Sequence, residues 1–142
     1  MVQDNWLVQL YLAIQQSDLN PDNLVIDGRF LRLAFHQEQH QLKLQVTRLD
    51  EDAFITKFCL INCLPSLDIV DRISFFTSSF FSLDQDAEDS ELSFDYYSNN
   101  PPAPSDFKTL VDFFFQLAQL VTKSNDELVH TIQTIIPEAI KH

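Results

Sequence analysis

Glycine is almost missing from this chain: Gly28 is the only one in 142 residues. Phosphate-cradling loops, nucleophile elbows and dinucleotide fingerprints all need glycine, because their backbone N–H groups approach a ligand closely or turn through positive φ. The common nucleotide-dependent enzymes are therefore largely excluded. Cysteine is scarce too, at Cys59 and Cys63. Placed on one strand they share a face about 13 Å apart, beyond the ~7 Å that a disulfide spans. Both read as reduced core residues of a cytosolic protein. Basic residues number nine against twenty-one acids, for a net charge of −12. That balance argues against nucleic acid, which needs a basic stripe. No apolar run approaches the ~20 residues that cross a bilayer. No apolar run follows a basic N-terminal region, so a signal peptide is not expected.

What is present is phenylalanine, thirteen in all. The length suits one α+β domain over 1–142, large enough to bury a core without metals or disulfides. The basic residues are unevenly spread. Arg29, Arg32, Lys43, Arg48 and Lys57 fall close together, and none stands between Arg72 and Lys108. This reads either as a solvated mixed face of a sheet or as a patch for an acidic partner.

Trp6, Leu7, Leu10, Tyr11 and Ile14 recur at helical spacing, with Asp4 or Asn5 as cap. The helix stops near Ser17, before the turn at Leu19–Asp22. Strands follow. Leu24–Ile26 runs into Asp27-Gly28, a tight turn or bulge. Leu31, Leu33 and Phe35 alternate with polar or small residues, and Leu42, Leu44 and Val46 do the same after a polar connection over 36–40. Asp50-Glu51-Asp52 is a turn. Phe54 to Leu64 is apolar on both faces, the mark of a covered central strand.

Residues 66–83 fit two periods, with a helix favoured at the start, capped by Ser66, and an extended second half. Asp84 to Glu91 reads as an acidic loop, and Leu92, Phe94 and Tyr96 as a further strand. Three prolines within 101–104 break the chain. Ser105 or Asp106 then caps a helix whose stripe runs Phe107, Leu110, Val111, Phe114, Leu117, Ala118 and Val121. Ser124 and Glu127 form a capping box for a last helix over 125–136. The sum is an antiparallel sheet of four to five strands against N-terminal, middle and C-terminal helices.

Three constellations fail on chemistry. Asp84, Asp86 and Glu88 alternate as in a calcium loop, but Asp89 stands where that loop needs glycine. His36-Gln37-Glu38-Gln39-His40 differs from H-E-x-x-H in the place of its glutamate. No Ser/His/Asp arrangement or singled-out carboxylate pair emerges. We expect no enzyme, no metal and no cofactor.

The phenylalanines point instead to an interface. Phe113, Phe114 and Phe115 span about 200° of a helix, more than one small domain is expected to cover. Phe80 and Phe81 end a second cluster. Phe113, Phe114, Phe115, Leu117, Phe80 and Phe81 are therefore the expected partner or dimer contacts.

The order of these elements resembles the type III secretion chaperone family and the related YbjN-like bacterial proteins. Small size, acidic charge and an amphipathic C-terminal helix are similar as well. The chain departs from that pattern by a second C-terminal helix and by a single clear strand after the middle helix. The resemblance implies a homodimer that holds an extended partner segment on apolar grooves. The expected function is thus a cytoplasmic, chaperone-like protein-binding module with a protein partner and neither nucleic acid nor membrane. Two alternatives stay open: a small-ligand pocket with Cys59, Cys63 and His130 as its polar points, and a structural subunit of a larger complex.

Overall fold

Gly28 earns its place in the first hairpin. Asp27 pairs with Phe30 across a two-residue loop, and Gly28 alone of the two loop residues has positive φ, at 64°. That is the pattern of a type II′ turn, whose first central position favours glycine. The next hairpin closes Gln37 on His40 with Glu38 at φ 57°, a left-handed conformation held by a side-chain-bearing residue. The third closes Asp50 on Ala53 after a register shift between Arg48 and Asp50. Arg48 holds this turn: its Nε donates to the Asp50 carbonyl at 3.1 Å and its Nη2 to the Glu51 carbonyl at 2.9 Å.

The computed structural model describes residues 5–61, 81–86 and 91–120, together with Thr134, Ile136, Pro137 and Ile140. Helix α1 (Asn5–Gln16) precedes strands β1 (Asn23–Asp27), β2 (Phe30–Gln37), β3 (His40–Asp50) and β4 (Ala53–Ile61). Strands β5 (Phe81–Asp86) and β6 (Glu91–Ser98) and helix α2 (Pro104–Leu120) follow. All neighbours are antiparallel in one sheet of order β1-β2-β3-β4-β6-β5. The first four strands meander. The β5–β6 hairpin returns with β6 beside β4.

The sheet thus has six strands rather than four or five. The added one is β5, which takes in Asp84 and Asp86 from the expected acidic loop, while Glu91 opens β6. An edge strand needs no continuous apolar alternation, and charge there is tolerated. That is why its acids looked like a loop. The expected middle helix from 66 lies outside the described residues, as does the last helix over 125–136 apart from Thr134 and Ile136.

One face of the sheet is the core face. Leu31, Leu33 and Phe35, then Leu42, Leu44 and Val46, then Phe58 and Leu60, then Leu92 and Phe94 form one buried cluster with Leu7, Leu10 and Ile14 of α1. Helix α2 lies in the same cluster. Its exposed residues Ser105, Lys108, Thr109, Asp112, Gln116 and Gln119 make one narrow stripe, and the others described are buried or half-buried, save Asp106 at the start. The expectation that part of the Phe113–Phe115 triplet faces outward is overturned: Phe113, Phe114, Phe115 and Leu117 are all buried. The sheet is not their only cover, because α1 and the C-terminal residues Ile136 and Ile140 belong to the same cluster. Phe81 sits on β5, and Phe80 lies outside the described residues.

Helix α2 also starts differently from the expectation. The Ala103 carbonyl accepts from the N–H of Asp106 at 3.0 Å and of Phe107 at 3.3 Å, so Ala103 is the cap and Pro104 the first helical residue. Asp106 is the third helical residue. Its Oδ2 reaches back to accept from the Ala103 N–H at 2.9 Å, one half of a capping box.

Candidate functional site

Period-two alternation sends every second side chain of β2–β4 to the face away from the helices. The register aligns them. Val25, Arg32, Gln45, Lys57 and Asp95 form one row across five strands; Asn23, Ala34, Lys43, Cys59 and Ser93 form the next. Adjacent strands lie about 4.8 Å apart, and rows on one face about 6.8 Å apart. Arg32 and Lys57 therefore stand roughly 10 Å from each other by their Cα atoms, with Lys43 about 8 Å from each. Three cations of an acidic chain are gathered within about one Debye length at physiological salt.

These residues line an open concavity of about 570 Å³ that also includes Gln41, Gln45 and Cys59. Arg32 is held from two sides: Nη1 lies 3.0 Å from Asp27 Oδ2, and Nε donates to Gln45 Oε1 at 3.1 Å. Lys43 and Lys57 are exposed, and among the described residues neither makes an ion pair. At the rim, exposed His36 pairs through Nδ1 with Asp22 Oδ2. Such a surface offers fixed positive charge and amide groups to an anionic ligand. Among the described residues there is no group of three metal-ligating side chains.

A second, smaller concavity of about 400 Å³ lies where β4 begins and β6 ends, against the start of α2. Phe54, Tyr96, Tyr97, Asn100, Pro102 and Asp106 line it. Burial first, and the Asp106 carboxylate second, push the Tyr96 hydroxyl above its ordinary pKa of 10.0. Trp6 packs edge-on against Phe54, 5.1 Å between centroids, while the Arg48 guanidinium lies 5.8 Å from the Phe54 centroid. The Trp6 Nε1 is buried with no hydrogen-bond partner.

The structure does not assemble the residues expected at a site. Phe113, Phe114, Phe115 and Leu117 are core. Of the pocket's three polar points only Cys59 is among the described residues, on the open face rather than in an enclosed cavity. His36 and His40 lie on opposite faces of the sheet, the first exposed and the second buried. Nor does the described surface carry an apolar face: the exposed large apolar residues Leu12, Val25, Leu49 and Tyr97 stand on four different elements. What sequence reasoning did see was the crowding of Arg32, Lys43 and Lys57. The signal that puts them together is their shared parity with Gln45 and Cys59 once the hairpin turns are fixed.

No protein-family model matches this sequence, and no curated protein matches it. No described helix is long and apolar enough to cross a membrane.

Proposed function

We propose that this protein is a polypeptide-binding module whose open sheet face receives an acidic segment of a partner. One observation carries the reading: Arg32, Lys43 and Lys57 come to one sheet face, in two neighbouring rows around a concavity, in a chain of net charge −12. Among the described residues Lys43 and Lys57 make no ion pair, although Asp95 stands opposite Lys57 in the register. A partner carboxylate therefore gains attraction without first displacing an internal one. The acidic remainder of the surface repels other acidic chains and restricts docking to this face. The proposal keeps the chaperone-like class and the cytosolic setting suggested by the order of elements and the reduced cysteines. It moves the partner contact from the phenylalanines to the charged face.

The test is a titration of the protein with a labelled Glu-rich peptide of about ten residues, beside a Lys-rich peptide of the same length. The acidic peptide binds, more weakly as salt rises. Lys43→Gln with Lys57→Gln weakens it by about tenfold, roughly 1.4 kcal/mol. Equal binding of the two peptides, or an unchanged affinity in the double variant, sinks the proposal.

A further inference from the structure

Strand β1 ends the sheet, and among the described residues no strand lies on its outer side. A two-residue hairpin closes on a hydrogen-bonded pair, here Asp27 with Phe30. Bonded and unbonded pairs then alternate, so Asn23, Val25 and Asp27 direct their backbone groups to β2. Leu24 and Ile26 turn their N–H and C=O groups outward. Among the described residues neither takes a hydrogen bond outside the sheet.

We infer that this edge pairs with the same edge of a second copy, antiparallel, about a two-fold axis through Val25. The strand is self-complementary in that register. Leu24 of one copy stands opposite Ile26 of the other, and both such pairs are of the hydrogen-bonded kind. Every outward N–H and C=O of the two strands is then satisfied. Val25, 42% exposed, meets its own copy at the unbonded pair, where strands approach closest. At the ends Asn23 faces Asp27, so no like charges are opposed.

Among the described residues the edge lacks the usual protection. Its interior, Leu24-Val25-Ile26, holds no charge, proline or bulge, whereas β5 on the other edge carries Asp84 and Asp86. The area is small and both copies are acidic. Association is therefore weak, and salt tightens it by screening the repulsion. Pairing joins the two sheets and sets their cation rows on one continuous face. The inference concerns the edge and stands apart from peptide binding on the face.

Sedimentation equilibrium of the full chain up to about 0.5 mM, at low and high salt, tests it. The wild type shows a reversible monomer–dimer equilibrium that shifts toward dimer with salt. Val25→Lys, at an exposed position, weakens dimerisation by about tenfold or more, while Val25→Thr retains it. A wild type that stays monomeric at the highest concentration overturns the inference, and so does a Val25→Lys chain that dimerises unchanged. Should Val25→Lys fail to fold, amide exchange in the wild type decides. Exchange at Leu24 and Ile26 slows as concentration rises if the edge is the contact, and is indifferent to concentration if it is not. The peptide titration reads Lys43 and Lys57, so the two proposals fail separately.

Discussion

The ring of Phe114 lies on that of Phe94, 3.9 Å between centroids and 24° between planes, and meets Phe58 edge-on at 4.8 Å. Helix α2 is thereby seated on the neighbouring strands β4 and β6. The contact converts a run of three phenylalanines from an apparent interface into the keystone of the core.

Phe114→Ala removes a fully buried ring from between two others. The expected loss is about 3–5 kcal/mol of unfolding free energy, read from urea midpoints. Gln116→Ala, on the exposed stripe of the same helix, stays within about 0.5 kcal/mol. Phe113→Ser, which would have dissolved an interface had that side chain been exposed, is expected to unfold the chain. A Phe114→Ala protein as stable as wild type would show that the helix does not sit where we place it.

Thr56 is 1% exposed, on β4 between Phe54 and Phe58, and its Oγ1 has no hydrogen-bond partner. A buried hydroxyl without a partner costs about 1–3 kcal/mol in lost hydration. Thr56→Val keeps the branched shape, and is expected to stabilise by about 1 kcal/mol. Thr56→Ala opens a void and does not. Chemical denaturation of both variants beside wild type checks the order; a destabilised valine variant would mean that the hydroxyl is bonded after all.

Tyr96 sets an alkaline limit. Its raised pKa means that the folded chain holds the phenolic proton more tightly than the unfolded chain. The resulting stability is fully present below pH about 10 and is lost as pH rises through the folded value. Tyr96→Phe is expected to flatten the fall in urea midpoint on the alkaline side. Asp106→Asn narrows the shift without abolishing it, because burial is the larger cause. Identical alkaline slopes in wild type and Tyr96→Phe would contradict this.

Much of the fold is legible along the chain. The α1 stripe from Leu7 to Ile14, the alternation on β2 and β3, and the Asp27-Gly28 and Asp50–Asp52 turns are local signals, and each element stands where its signal lies. Strand β5 was obscured because its aspartates break the apolar alternation, which an edge position permits. The site was only half legible. Arg32, Lys43 and Lys57 are close in sequence, but their meeting on one face depends on hairpin registers in which a slip of one residue would send each to the other side.

Apart from β5, sequence alone determined the periods of the described elements: which residues along each share a side, because those follow from 3.6 and 2.0 residues per repeat. Tertiary structure decided what each side meets. The same phenylalanine triplet serves equally as interface or as core until sheet, α1 and the C-terminal isoleucines close around it, and burial is a property of those distant neighbours. For the same reason the cation face and the edge position of β1 exist only once strand order is fixed, since adjacency across a sheet is written in no single segment of the chain.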